Sequence, residues 1–232
     1  MANTLKVVTT IAMKSVLEQI EPELMAAHGY GIAMSFGPPS RSVQMVLEGE
    51  PADLVMATPE GVAELFAAQK VIAASAPVVA RMIMGVAVRA GAPKPDISTV
   101  EGFRQAVVDA KSVTYANPAL GSPSAAHFLK VADSLGIGDA VRAKALVSGN
   151  LVARHVAAGE AEMAVQQLSE LVMVEGVEVV GLFPAELQNV VPLAAAIHRD
   201  ASAPDVARAL IALLGTPRAQ AIVEKAGMLP GA

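Results

Sequence analysis

The chain has 232 residues, with 17 Lys and Arg against 22 Asp and Glu, a net charge of −5; 53% of it is apolar and only 3% aromatic. That apolar share excludes a disordered chain, and the acidic balance without a basic run speaks against a nucleic-acid partner, which needs clustered Lys and Arg. With no Cys there is no disulfide framework, thiolate nucleophile or thiolate zinc site, and no window reaches the ~18 uninterrupted apolar residues of a bilayer span, so no membrane insertion is expected.

In chain order the pattern alternates strand and helix. Residues 5–9 form a β-branched strand, and Met13, Val16, Leu17, Ile20 and Leu24 recur at helical spacing up to a stop at Gly29, with Pro22 a point of kinking or restart. A strand at 32–36 meets Gly37-Pro38-Pro39, after which Ser40 is placed to cap a helix carrying Val43, Val46 and Leu47. A strand at 52–57 leads into Thr58-Pro59, a cap followed by proline at the first helical position. Residues 78–89 read as one apolar strand, longer than the usual ~5–6 residues. Ser98 with Glu101 gives a capping box for a helix through Phe103, Val107 and Val108. Strands follow at 112–115, 163–166, 177–182 and 190–197; Asn150 is placed to cap a helix through Val156, and 205–226 is helical with Pro217 dividing it. Such alternation means α/β architecture with mostly parallel sheets covered on both faces.

Small ligands bind open parallel sheets at the carboxyl ends of strands, where helix N-termini aim free N–H groups. Four such junctions are polar here: Thr9-Thr10-Ile11-Ala12, Gly37 through Ser42, Asn117 through Ser124, and Ser148-Gly149-Asn150. Each is read either as an ordinary cap or as part of an anion pocket; four in one chain favour the pocket.

The segment Leu47-Glu48-Gly49-Glu50-Pro51-Ala52-Asp53-Leu54, the Pro-containing loop after Tyr115 and the closing helix pair at Thr216-Pro217-Arg218-Ala219-Gln220 resemble, in that order, the molybdate-type periplasmic binding proteins of ABC transporters. The resemblance covers the whole chain. It implies the type II binding-protein fold: two α/β lobes joined by two crossing strands, closing over an anion in the cleft. Lobe one would be residues 1–82 plus 196–232 and lobe two 83–195, with crossovers at 78–89 and 190–198.

That family grips its oxyanion with Ser hydroxyls and backbone N–H groups in the first two loops. This chain has Ala12 and Pro39 at those positions, and Pro39 offers neither group. In the second lobe the donor positions fall on Ser124 and Ser148, and Gln166 replaces a Tyr common near the cleft. The losses speak against molybdate, since each bond to a charged acceptor contributes ~1.5–3 kcal/mol. A carboxylate fits better, because Arg41 and Arg81 each offer a planar bidentate fork; the other reading of Arg41 is a solvated helix-face charge, and that of Arg81 a structurally paired arginine within an apolar strand. The expected ligand set is Thr9, Thr10, Ala12, Ser40, Arg41, Arg81, Asn117, Ser122, Ser124, Ser148, Asn150 and Gln166.

No hydrolase elbow, Walker loop or dinucleotide fingerprint occurs, the four His are scattered, and no metal or cofactor is implied. One branch resembling this family, aconitate isomerase, moves a proton along an allylic tricarboxylate. Tyr115-Ala116-Asn117-Pro118-Ala119-Leu120-Gly121-Ser122 and Val165-Gln166-Gln167-Leu168-Ser169-Glu170 carry that resemblance. Such chemistry needs a carboxylate clamp and one acid–base group of near-neutral pKa, for which His127 and Glu170 are the candidates. Residues 1–6 lack a basic segment followed by an apolar stretch and cleavage site, so the expectation is a cytoplasmic chain, or a periplasmic one if the sequence is a trimmed mature form. Two functions follow: a binding protein for a small anion, with an ABC permease as partner if exported, or an isomerase of an unsaturated di- or tricarboxylate.

Overall fold

The structure is a computed structural model that describes residues 3–120, 122–149 and 151–231. The chain begins with β1 (Asn3–Thr9), a 3-10 turn, α1 (Lys14–His28), β2 (Tyr30–Phe36), α2 (Pro39–Leu47), β3 (Leu54–Ala57), α3 (Pro59–Ala67) and β4 (Val78–Met82). It continues through β5 (Met84–Arg89), α4 (Val100–Asp109), β6 (Val113–Ala116), α5 (Pro123–Ser134), α6 (Gly138–Ala143), β7 (Ala145–Ser148), α7 (Ala153–Ala157), β8 (Met163–Gln167), α8 (Leu168–Leu171) and β9 (Val177–Leu182). It closes with β10 (Val191–Ile197), α9 (Pro204–Leu214), α10 (Pro217–Lys225) and β11 (Met228–Pro230).

Two compact units result: Met1–Met82 with Val191–Ala232, and Ile83–Val190. In the first, six strands run in the order β11-β4-β10-β3-β1-β2. Strand alternation puts Leu5, Val7, Leu54 and Met56 on one face, against Leu17 and Ile20 of α1 and Leu210 of α9. Their neighbours Val8, Val55 and Ala57 pack on the other face, against Val43 of α2 and Val62 and Leu65 of α3. The α1 stripe of Val16, Leu17, Ile20 and Leu24 is buried as its spacing requires, and Gly29 ends the helix at φ 73°, a left-handed turn that glycine adopts without a Cβ clash. Pro22 lies inside α1 without ending it.

The second unit has five strands in the order β7-β6-β8-β5-β9. Its core gathers Phe103, Phe128 and Phe183, with the Phe103 and Phe183 rings 4.5 Å apart and Tyr115 edge-on to Phe128 at 5.4 Å. The α/β class holds in both units, with pairing that is mixed rather than mostly parallel. β1–β2, β1–β3, β6–β7 and β6–β8 are parallel, whereas the pairings made by β4, β5, β9, β10 and β11 are antiparallel.

Several expectations need correction. The long strand at 78–89 is two strands broken at Ile83, because β4 pairs with β10 and β11 while β5 pairs with β8 and β9. The return to the first unit falls at Val191 rather than 196, since β10 is laddered to β4 from its first residue. Ser40 does not cap α2; it lies inside the first turn, and the cap position is Pro38. The α4 cap is Thr99, whose hydroxyl accepts from Gly102 N at 3.0 Å, while Ser98 N donates to Asp96 Oδ1 at 2.9 Å. Asn150 lies outside the described residues, and α7 has Val152 at its cap position with no side-chain bond there. Among the described residues no single helix is long and apolar enough to cross a membrane, and the α9–α10 pair, bent by 71°, buries Leu210, Leu214, Ile222 and Val223 in the core.

Candidate functional site

In the first unit the carboxyl ends of β1 and β2 are tied together. Gly37 N donates to the Thr9 carbonyl at 2.9 Å, and the buried Ser42 hydroxyl donates to the same oxygen at 3.3 Å. Thr9 is itself buried, and its hydroxyl donates to Met56 Sδ at 3.3 Å, so it serves the sheet. Thr10 caps the 3-10 turn: its Oγ1 accepts from the N–H of buried Ala12 at 3.1 Å, which commits that donor. Ser40 is exposed in the first turn of α2, next to a proline that brings no N–H.

The two arginines expected to grip a carboxylate have partners of their own. Arg41 forms an exposed ion pair with Glu48 at 2.9 Å, and that hydrogen bond is the main cause of its raised pKa. Arg81, partly buried on β4, donates from Nη1 to the Pro230 carbonyl at 2.6 Å and so fastens β11. The backbone acceptor that it meets explains an arginine in an apolar strand.

In the second unit, parallel pairing aligns the carboxyl ends of β6, β7 and β8. Ala116 sits opposite Ser148, and β8 pairs with β6 at Val113–Met163 and Thr114–Ala164, two residues before Gln166. Asn117 N donates to the Ser148 carbonyl at 2.7 Å, and Asn117 Oδ1 accepts from Ala119 N at 3.0 Å, an Asx turn that shapes the next loop. Ser122 caps α5 through Ala125 N at 3.4 Å, and its hydroxyl lies 3.1 Å from that of Ser124, which is buried. Gln166 is buried, its Oε1 accepting from Val152 N at 3.2 Å at the start of α7. Asn117, Ser122, Ser124, Ser148 and Gln166 are therefore gathered at one edge of one sheet.

This edge also holds polar atoms without partners. The Ser148 hydroxyl, Gln167 Oε1 and the Ser169 hydroxyl are buried and make no hydrogen bond; Gln167 is 7% exposed and Ser169 2%. Each such group costs ~1–3 kcal/mol when left unmet. Glu170, next in the chain after Ser169, is partly buried on α8, and burial alone pushes its carboxyl up to about 7. His127 differs: its Nε2 donates to the Leu187 carbonyl at 2.8 Å and its ring lies against Phe183, so it joins α5 to the chain after β9. Neither Gln167 nor Ser169 stands out as a ligand group in the sequence, because nothing in one sequence distinguishes a buried unpaired hydroxyl or amide from a paired one.

A separate surface cavity of about 350 Å³ lies at the amino end of β3, lined among others by Lys6, Asp53, Lys70, His198 and Ser202. Asp53 there is already satisfied, accepting from Lys6 N, Ser202 N, Ser202 Oγ and Ala203 N. Among the described residues no group of His, Asp and Glu is arranged to hold a metal ion.

A family profile described as bacterial extracellular solute-binding protein matches residues 5–229. The chain is 30% identical to an aconitate isomerase from a Pseudomonas species, over 98% of this chain and 88% of that protein. Its fold is similar to the periplasmic molybdate-binding protein of Azotobacter vinelandii, with a TM-score of 0.76 and 19% identity over 97% of this chain and 98% of that one. It is also similar to a sulfate-binding protein of Mycobacterium tuberculosis, with a TM-score of 0.71 and 19% identity over 98% and 87%. A match spanning nearly the whole chain, on a fold shared with the molybdate-binding type, makes this chain a member of the bacterial extracellular solute-binding protein family.

Proposed function

We propose that this solute-binding protein takes a small organic polycarboxylate rather than molybdate. One observation carries the reading: the first-unit loops offer too few donors for a tetrahedral oxyanion. The Ala12 N–H is held by Thr10, and Pro39 has neither hydroxyl nor N–H. Each missing bond to a charged acceptor removes ~1.5–3 kcal/mol. What supports a carboxylate in the second unit is a set of hydroxyls, those of Ser122 and Ser124 at the α5 N-terminus and the unmet ones of Ser148 on β7 and Ser169 on α8. On this reading the partners are the anion and an ABC permease, and the extracellular character of the family favours the periplasmic alternative for its location.

A second reading, turnover of the bound ligand by an allylic proton shift, is favoured by the aconitate isomerase relative and by the near-neutral Glu170 carboxyl. Thermal unfolding against molybdate, sulfate, citrate, cis-aconitate and trans-aconitate tests the binding reading. The expected result is a higher Tm with the carboxylates and no rise with molybdate. A rise with molybdate alone overturns it.

A further inference from the structure

Glu170 lies on the short helix α8, one residue beyond the buried Ser169. It follows β8 closely, at the sheet edge that also carries Ser148, Gln166, Gln167 and Ser169, and among the described residues its carboxyl has no hydrogen-bond or ion-pair partner. Two of those neighbours, Gln167 and Ser169, are more than nine-tenths buried with unmet polar atoms, which points to a guest that meets them. The elements that pack most closely against α8 are β5, β8 and β9, whose charged residues are Arg89 and Glu178; both are exposed, and Glu178 is paired with Lys94 at 3.2 Å. No charge on them therefore competes for the Glu170 proton. His127, the other candidate, has its Nε2 occupied by the Leu187 carbonyl.

Resting on the isomerase reading, we infer that Glu170 is the single proton carrier of that reaction, acting on an unsaturated polycarboxylate with a methylene next to the double bond. The Glu170 carboxylate takes a proton from the methylene carbon. The C–H electron pair becomes the new double bond to the central carbon, and the old double-bond pair moves to the far carbon and into its carboxylate. That far carbon then takes the same proton back from the Glu170 carboxyl. No oxidant, reductant or second base enters. Burial suits the residue to both halves of the cycle, since a carboxyl near 7 is populated in both forms at neutral pH.

The test follows cis- and trans-aconitate interconversion by NMR, with ligand-induced Tm shifts recorded beside it, for the full chain and for Glu170→Gln and Glu170→Asp. The wild type is expected to interconvert the isomers, with a rate that rises with pH through about 7. Glu170→Gln should keep its Tm shift and lose at least about 100-fold in rate. Glu170→Asp, which keeps a carboxyl if the Gln variant fails to fold, should retain turnover with its pH limb displaced. Glu170→Gln turning over at the wild-type rate, or Glu170→Asp with an unmoved pH limb, overturns the assignment and leaves the isomerase reading standing. A wild type that binds both isomers and interconverts neither overturns both.

Discussion

At the residue scale, Glu170 is a cost that folding has to meet. An unfolded Glu releases its proton near its ordinary value of 4.5, whereas the folded carboxyl holds it up to about 7. Between those values folding takes up a proton, so stability falls as pH rises, and above about 7 the full penalty is present. Glu170→Gln removes the ionised form and should raise stability above about pH 7 by about 2–3 kcal/mol while leaving it little changed near about pH 4. Urea unfolding of both proteins across that range checks this. Equal pH dependence would mean that the carboxyl is already hydrated. On the isomerase reading, a gain in stability with a loss of turnover in this variant would be the trade-off expected of a functional group. The residues around Glu170 draw attention to it in the sequence, but its burial is a tertiary property. Arg41 shows the reverse: its charge invites a role in carboxylate binding, and the fold places Glu48 beside it.

At the scale of elements, helix ends are only partly legible. Thr58-Pro59 marks a cap in the sequence, and Thr58 Oγ1 accepts from Gly61 N at 3.2 Å. At α4 the same reasoning selects Ser98, one residue early, because Ser98-x-x-Glu101 fits the capping box as well as Thr99-x-x-Gly102 fits a simple cap. The Asx turn at Asp96 holds Ser98, and Glu101 turns to Arg104 at 2.8 Å. Thr99→Ala should therefore cost about 1 kcal/mol and Ser98→Ala less than about 0.5 in thermal or urea unfolding. The reverse order would return the cap to Ser98. The other end of α4 has a device that no local rule names. The Lys144 ammonium donates to the carbonyls of Val107, Val108 and Ala110 at 2.6–2.7 Å, and burial lowers its pKa. Lys144 lies far along the chain from α4, so only the folded unit shows what it does.

At the scale of the molecule, the first unit is made from the two ends of the sequence, and Asp53 is one of the groups that join them. Its carboxylate takes Lys6 N at 2.8 Å from the first segment, and Ser202 N at 2.6 Å and Ser202 Oγ at 2.8 Å from the last. Burial by itself would raise its pKa, but these bonds prevail and hold it below its ordinary 3.8. A depressed carboxyl stabilises above the unfolded value and loses that contribution as pH falls through the folded one. Asp53→Asn should cost about 1–3 kcal/mol at neutral pH and flatten the loss of stability below about pH 4, measured by unfolding from neutral to strongly acidic pH. An unchanged acid limb would show that Asp53 does not join the segments in solution. The strand–helix alternation, the buried stripe of α1 and the order of motifs along the chain are all present in the sequence, because hydrophobic period and local turn chemistry act over a few residues. Which strands pair antiparallel, where residues 78–89 break, and which buried hydroxyls are left unmet are decided only by tertiary structure. Those outcomes depend on partners brought together from distant parts of the chain, and no local pattern encodes the presence or absence of such a partner.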